Sequence, residues 1–157
     1  MNSIVPDIDW LSDMLPVSKR FDDPYFSLDN GLAETKHVFL KGNGLPARFR
    51  DGFSIAELGF GTGLNFLTTV LSWREHKCCG PLRFTSFEAF ALQPDDMTRD
   101  LLAFEELQDI ANEFAPLWSG LLTNGKIIPP DVELTLIQGD ARSQVPNWNS
   151  FADCWYF

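Results

Sequence analysis

Glu57, Gly59, Gly61 and Gly63 have types and spacing that suit the binding of a ligand, and they lie together in the stretch Phe53 to Leu67, FSIAELGFGTGLNFL. Ser54 to Leu58 reads as a short buried strand, and the alternating glycines form a turn that opens a helix. A turn this tight needs positive φ, and glycine lets the backbone come close to a ligand. Gly63 stands where the helix must pack on its strand. The first turn of that helix then offers free N–H groups, a ready place for an anionic group. The chemistry implied is the holding of a nucleotide-type cofactor.

Two other acids fall where strands end. Glu88 closes Arg83 to Glu88, RFTSFE, and Asp140 follows Val132 to Gln138, VELTLIQ. In doubly wound sheets ligands sit outside the carboxyl ends of the strands. Glu88, 25 positions beyond Gly63, is placed to accept from ribose hydroxyls, and Asp140 is placed to accept from an adenine amino group. The glycine spacing excludes two common alternatives. Leu64 stands where a GxGxxG dinucleotide fingerprint has its third glycine, and no Lys follows as in a GxxxxGK phosphate loop. The pattern ExGxGxG resembles motif I of class I methyltransferases, which bind S-adenosylmethionine. A carboxylate beside a sulfonium and an ammonium group is electrostatically favourable.

The elements that must position these groups alternate along the chain. A helix is expected over Leu64 to about Lys77, stopped by Cys78, Cys79, Gly80 and Pro81. A long helical region opens at Pro94 and Asp95 and is kinked at Pro116. Ala141 to Val145 is a short turn or helix, and Ala152 to Phe157, ADCWYF, starts a fourth strand. Strand and helix in alternation predict a parallel, Rossmann-like α/β sheet with helices on both faces. Residues 1–20 read as a polar lead-in and residues 21–157 as the cofactor domain, with its final strands missing. The open, apolar fourth strand predicts self-association.

Composition narrows the classes. The chain has 157 residues, 45% of them apolar, with 14 Phe and 5 Trp, enough for one domain with a sizeable core. Twelve basic against 22 acidic side chains leave a net charge of −10, so there is no overall electrostatic footprint for nucleic acid or anionic membrane. No apolar run approaches the ~20 residues of a membrane span, and the N-terminus is not a signal peptide. Cys78, Cys79 and Cys154 suit neither a disulfide framework nor a zinc site and read as reduced cytoplasmic thiols. His37 and His76 have no spaced metal-ligand set around them, so no metal site is expected. Trp155, Tyr156 and Phe157 read as buried strand rather than a base-stacking platform.

Longer stretches carry a sharper likeness. FDDPYFSLDNGLAETKHVFLKGNGLPARF, ELGFGTGLNFL, FTSFEAFAL and QGDAR, in this order, resemble the methyltransferase domain of the bacterial tRNA 5-methylaminomethyl-2-thiouridine biosynthesis proteins, the MnmC family, from about Val17 to Phe157. The resemblance implies a class I methyltransferase fold and methyl transfer from S-adenosylmethionine to the aminomethyl nitrogen of a modified wobble uridine, with tRNA as substrate. It implies that Glu57, Gly59, Gly61 and Gly63 hold the methionine part of the cofactor, Glu88 the ribose and Asp140 the adenine end. Tyr25, Phe26, Asn30 and Gly31 belong to the N-terminal motif and would fold over the cofactor. FAD is implied only where a separate oxidase domain is fused to this one.

The family's fourth strand runs into an LDGF-like segment whose Asp is the natural proton acceptor. That position would fall just after Phe157, so no residue present inherits the catalytic role, and Asp153 is expected at the rim or in a structural role. Cofactor binding with little turnover is the expectation for this polypeptide. Two other readings are a class I methyltransferase acting on a different amine and a non-catalytic cofactor-binding or interaction fragment.

Overall fold

The computed structural model describes residues 31–157 except Cys79, together with the backbone of three short strands. Those strands, β1 (Ile8–Leu11), β2 (Leu15–Ser18) and β3 (Asp23–Pro24), pair antiparallel in sequence order. Tyr25 and Asn30 of the N-terminal motif lie outside the described residues.

The chain continues through α1 (Gly31–Glu34), a π-helical turn (Thr35–Leu40) and a 3₁₀ turn (Lys41–Asn43). It then enters the main sheet at β4 (Ser54–Leu58), which is followed by α2 (Leu64–His76) and β5 (Leu82–Glu88). The predicted long helical region is three helices, α3 (Pro94–Leu101), α4 (Gln108–Phe114) and α5 (Trp118–Asn124). Two 3₁₀ turns interrupt them, Glu105–Leu107 and Ala115–Leu117. The second interruption carries Pro116, which has no N–H to give an α-helical bond. The first has no proline, and periodicity alone does not register it.

The sheet is completed by β6 (Lys126–Ile127), β7 (Val132–Gln138) and β8 (Cys154–Tyr156), with α6 (Ala141–Gln144) before the last strand. The order is β6-β7-β5-β4-β8. β8 lies beside β4 in parallel, but the sheet is mixed rather than purely parallel as predicted: β6 pairs antiparallel with β7. Gly125, at φ +74, reverses the chain at the end of α5, so two residues fold straight back on the edge of β7. β4, β5 and β7 step in one direction across the sheet and β8 returns on the other side. Right-handed crossovers therefore put α2 to α5 on one face and α6 on the other.

The core fills the face under α2 to α5. Phe66 of α2 meets Phe84 of β5 at 5.2 Å between ring centroids and Phe114 of α4 at 5.4 Å, both edge to face. Trp118 lies against Phe60, Phe66 and Phe114. On the opposite face Phe87 packs on Trp148 and Trp155. Arg74 ties α2 to its neighbours, donating to both oxygens of Glu113 on α4 and both oxygens of Asp131 ahead of β7. The outer edge of β8 has no strand partner among the described residues.

Candidate functional site

The carboxyl ends of the three central strands lie level with one another. Gly59 N–H donates to Phe87 O at 2.8 Å and Gly139 N–H to Glu88 O at 3.0 Å, carrying the parallel ladders one residue past each strand. Gly59, Glu88 and Asp140 therefore emerge at the same rim.

The glycine turn has the conformation its composition predicts. Gly59, Gly61 and Gly63 take φ of +87°, +56° and +91°, values that L-residues with a Cβ rarely adopt. The three glycines differ in their surroundings. A Cβ on Gly59 would meet nothing within 4 Å, whereas one on Gly63 would stand 3.2 Å from the Phe60 ring and 3.6 Å from Trp118. Gly59 is thus open to the solvent side and Gly63 is closed by packing.

A cavity of about 370 Å³ lies over this turn. Its floor is Gly59 to Thr62 with Leu64 and Asn65 from the start of α2; Glu88 stands on one side, and Gly31, Glu34, Thr35 and Phe39 form the opposite wall. Glu88 braces the turn as well as lining the cavity, since Oε2 accepts from Gly61 N–H and Oε1 from Phe90 N–H, both at 3.0 Å. A carboxylate has lone pairs to spare after two such bonds, so it can still accept from a ligand hydroxyl. Gly63, the N-cap of α2, has no side chain with which to cap that helix, and the first residues of its uncapped first turn, Leu64 and Asn65, line the cavity.

Glu57 is placed differently from Glu88. It is 1% exposed and faces α2 rather than the cavity. Glu57, Ser86 and Tyr156 occupy one register row across β5, β4 and β8. Ser86 Oγ donates to Glu57 Oε1 at 2.8 Å. One turn of α2 covers this row with two polar side chains: Asn65 Nδ2 donates to Glu57 Oε2 at 3.0 Å, and Thr69 Oγ1 shares a 2.9 Å hydrogen bond with Tyr156 Oη. Burial pushes the Glu57 carboxyl up to about 8, against the pull of Ser86 and Asn65, with the Glu88 charge adding to the rise. Burial likewise drives the Tyr156 phenol above its ordinary range.

Asn65 and Thr35 are site residues that sequence reasoning missed. Thr35 Oγ1 donates to Asn65 Oδ1 at 2.9 Å, so a chain of hydrogen bonds runs from the π-helical wall through Asn65 to Glu57 and Ser86. The sequence carries a weak signal for Asn65: it and Thr69 are polar and one turn apart, next to Phe66 and Val70 on the buried first half of the helix.

Asp140 is not among the residues lining the cavity. It caps α6, with Oδ1 accepting from Arg142 N–H at 2.9 Å and Oδ2 from Arg142 Nη2 at 2.7 Å. Arg142, by side chain and then backbone, holds this exposed carboxyl below its ordinary range. Asp153 sits at the other end of the sheet, where Oδ2 accepts from Ser54 N–H at 2.8 Å and Oδ1 from Arg50 Nη2 at 2.6 Å. It joins the start of β8 to the start of β4. Among the described residues no group of three or more His, Cys, Asp or Glu could hold a metal ion, and no helix is long and apolar enough to cross a membrane.

A Rossmann-like α/β sheet with a glycine-turn cavity at the carboxyl ends of its strands defines the class of this protein. Curated relatives point to a family. A tRNA 5-methylaminomethyl-2-thiouridine biosynthesis bifunctional protein MnmC from Leptospira interrogans is 42% identical over 142 residues, covering 85% of this chain and 22% of the relative. The protein of the same name from Aeromonas salmonicida is 39% identical over 171 aligned residues, covering 95% of this chain and 25% of the relative. Over that stretch, about a quarter of the relatives' length, the chain is similar to the MnmC proteins. The crystal structure of MNMC2 from Aquifex aeolicus has the same fold, with a TM-score of 0.71 at 21% identity, covering 97% of this chain and 48% of that one. No protein-family profile matches the chain.

Proposed function

We propose that this chain binds S-adenosylmethionine in the cavity over the glycine turn and serves methyl transfer to the aminomethyl nitrogen of a modified wobble uridine in tRNA, in the cytoplasm. The observation that carries the reading is the pairing of Glu88 with an open glycine turn across one cavity. The residues fit the cofactor on three counts. Gly59 leaves space where a Cβ would stand, the uncapped N-terminus of α2 suits a carboxylate, and Glu88 retains acceptor capacity for ribose hydroxyls. The cavity volume of about 370 Å³ falls within the usual range for small-molecule sites.

Charge supports the same choice. Glu34 and Glu88 line the cavity from opposite sides. Such a site favours a cationic ligand over a dinucleotide, whose pyrophosphate would meet acids on both sides. When bound, S-adenosylmethionine supplies an electrophilic methyl group to an attacking nitrogen. The turn and the α2 N-terminus hold the amino-acid end, Glu88 orients the ribose, and the Thr35 to Asn65 bond fixes the wall that shuts out water. The names of the relatives supply the tRNA substrate. An FAD-dependent step would belong to a separate oxidase domain.

The test is calorimetric titration with S-adenosylmethionine, with NADH as control and Glu88→Ala alongside. Saturable binding of S-adenosylmethionine alone, weakened about tenfold or more by the substitution, supports the reading. Binding of NADH, or S-adenosylmethionine binding that ignores Glu88, overturns it. Methylation of undermodified tRNA in preference to small amines separates the tRNA substrate from other amines.

A further inference from the structure

Asp100, in the last turn of α3, is fully buried, and neither of its carboxyl oxygens has a hydrogen bond of good geometry; the Thr62 hydroxyl beside it makes at most a weak one. It is the only acid among the described residues whose buried oxygens lack such a bond. Glu57 and Glu88, the other acids around the glycine turn, have a donor on each oxygen. Burying a carboxyl in this way costs free energy that an apolar side chain of similar size would not. The polar side chain beside Asp100 is Thr62. Thr62 is itself 3% exposed, lies between Gly61 and Gly63, and lines the cofactor cavity. The unexplained acid therefore stands directly behind the turn that forms the floor of the site.

We propose that Asp100 is a positioning residue for the cavity, setting the glycine turn through the Thr62 hydroxyl. This rests on the cofactor reading above only for its effect on binding; its effect on the turn is independent of any ligand. As a neutral acid Asp100 can donate its one O–H to Thr62 Oγ1 and leaves no charge in the core. As a carboxylate it needs several donors, and Thr62 can offer one. With no cation among the described residues contributing to its charge balance, the ionised form is relieved when the turn moves aside and admits water. Burial lifts this carboxyl to about 7, with Thr62 opposing the rise. Asp95, Asp96 and Arg99 on its own helix and Glu57 and Glu88 at the strand ends do not contribute to that shift. The site is thus formed when Asp100 is protonated and loosened when it is not.

The experiment is a pH titration of the ligand-free protein from about 5.5 to 9, following the backbone amide signals of Gly59, Gly61 and Gly63 by NMR. Calorimetric titration with S-adenosylmethionine at both ends of the range accompanies it. In the wild type the glycine signals should move with a midpoint near 7. Asp100→Asn, which stays neutral and can still donate to Thr62, should abolish that step and leave any later step from Glu57. Thr62→Val should uncouple the glycine signals from pH, with Asp100 itself still in place. S-adenosylmethionine affinity should fall about tenfold across the range in the wild type and stay level in Asp100→Asn. A wild-type turn with no step near 7, or a step that survives in Asp100→Asn, overturns the proposal. The glycine step without cofactor binding at any pH would leave Asp100 in its role and sink the cofactor reading instead.

Discussion

Asn65 at the start of α2 donates to Glu57 at the end of β4 at 3.0 Å, so the helix that opens the cavity is pinned to the strand that ends beneath it. The same Asn65 accepts from Thr35 at 2.9 Å. One amide thus joins the wall of the cavity to a buried acid, with Asn65 itself lining the space between. Sheet, helix and wall cannot move independently while these bonds stand.

Asn65→Ala removes both bonds at once. Thr35 and Glu57 are buried, and each loses a partner, which costs about 1–3 kcal/mol per group. Thermal unfolding should show the loss, and cofactor affinity should fall with it because the wall is released. Asn65→Asp should be worse above neutral pH than below it, since a second carboxylate would then face Glu57. Equal destabilisation at pH 5.5 and 8.5 would count against this assignment.

The glycines separate binding from folding. Gly59→Ala meets no protein atom but takes a methyl into a left-handed backbone at φ +87, a strain of about 1–2 kcal/mol. Its methyl would stand on the open side of the turn, so cofactor binding should drop far more than stability. Gly63→Ala combines φ +91 with an approach of 3.2 Å to Phe60. It should lower the melting temperature first. Melting curves and calorimetry on the two variants check the contrast.

The parts of the fold that the sequence shows clearly are those specified locally. β4, α2, β5 and β7 are apolar runs closed by glycine, proline or an acid, and they form within a residue or so of the expected limits. β6 is two residues long and exists only because the edge of β7 accepts it, so no local pattern announces it. Glu57 shows where composition stops short: an acid at a strand end reads as a ligand contact, yet strand register turns it under α2, into a row with Ser86 and Tyr156. Glu88 is one residue beyond Phe87 at the end of β5, where the chain leaves the sheet, and so reaches the cavity. Asp100 and Thr35 are polar residues within helical turns, and only packing reveals that they face inward.

Stability should fall as pH rises from mildly acidic to mildly alkaline. Glu57 at about 8 and Asp100 at about 7 both lie above their unfolded values of 4.5 and 3.8. The native state therefore holds protons that the unfolded chain has released, and the stability they contribute, fully present below about pH 4, is lost as pH climbs through the folded values. Each group is worth on the order of a few kcal/mol across that window. Urea melts from pH 5 to 8.5 should show midpoints declining in the wild type and declining less in Asp100→Asn and Glu57→Gln. A flat wild-type profile would contradict the raised values of these two buried acids.

Asp153 should govern the acid side of the same curve, with the opposite sign. Burial alone would raise its carboxyl, but Ser54 N–H and the Arg50 guanidinium outweigh it and hold the group below its ordinary value. Its contribution is therefore present above the unfolded value near 4 and is lost as pH falls through the folded one. The bonds affected are those that fasten β8 to β4, where Asp153 N–H also donates to Ser54 O at 2.7 Å. Asp153→Ala leaves the Ser54 N–H without its acceptor and should cost about 1–3 kcal/mol near neutral pH. Because the clamp lies at the amino end of the strands and the cavity at the carboxyl end, the variant that remains folded should keep its affinity for S-adenosylmethionine. Calorimetry at a temperature well below the melting point distinguishes this from a role in the site, for which affinity would fall even in fully folded protein.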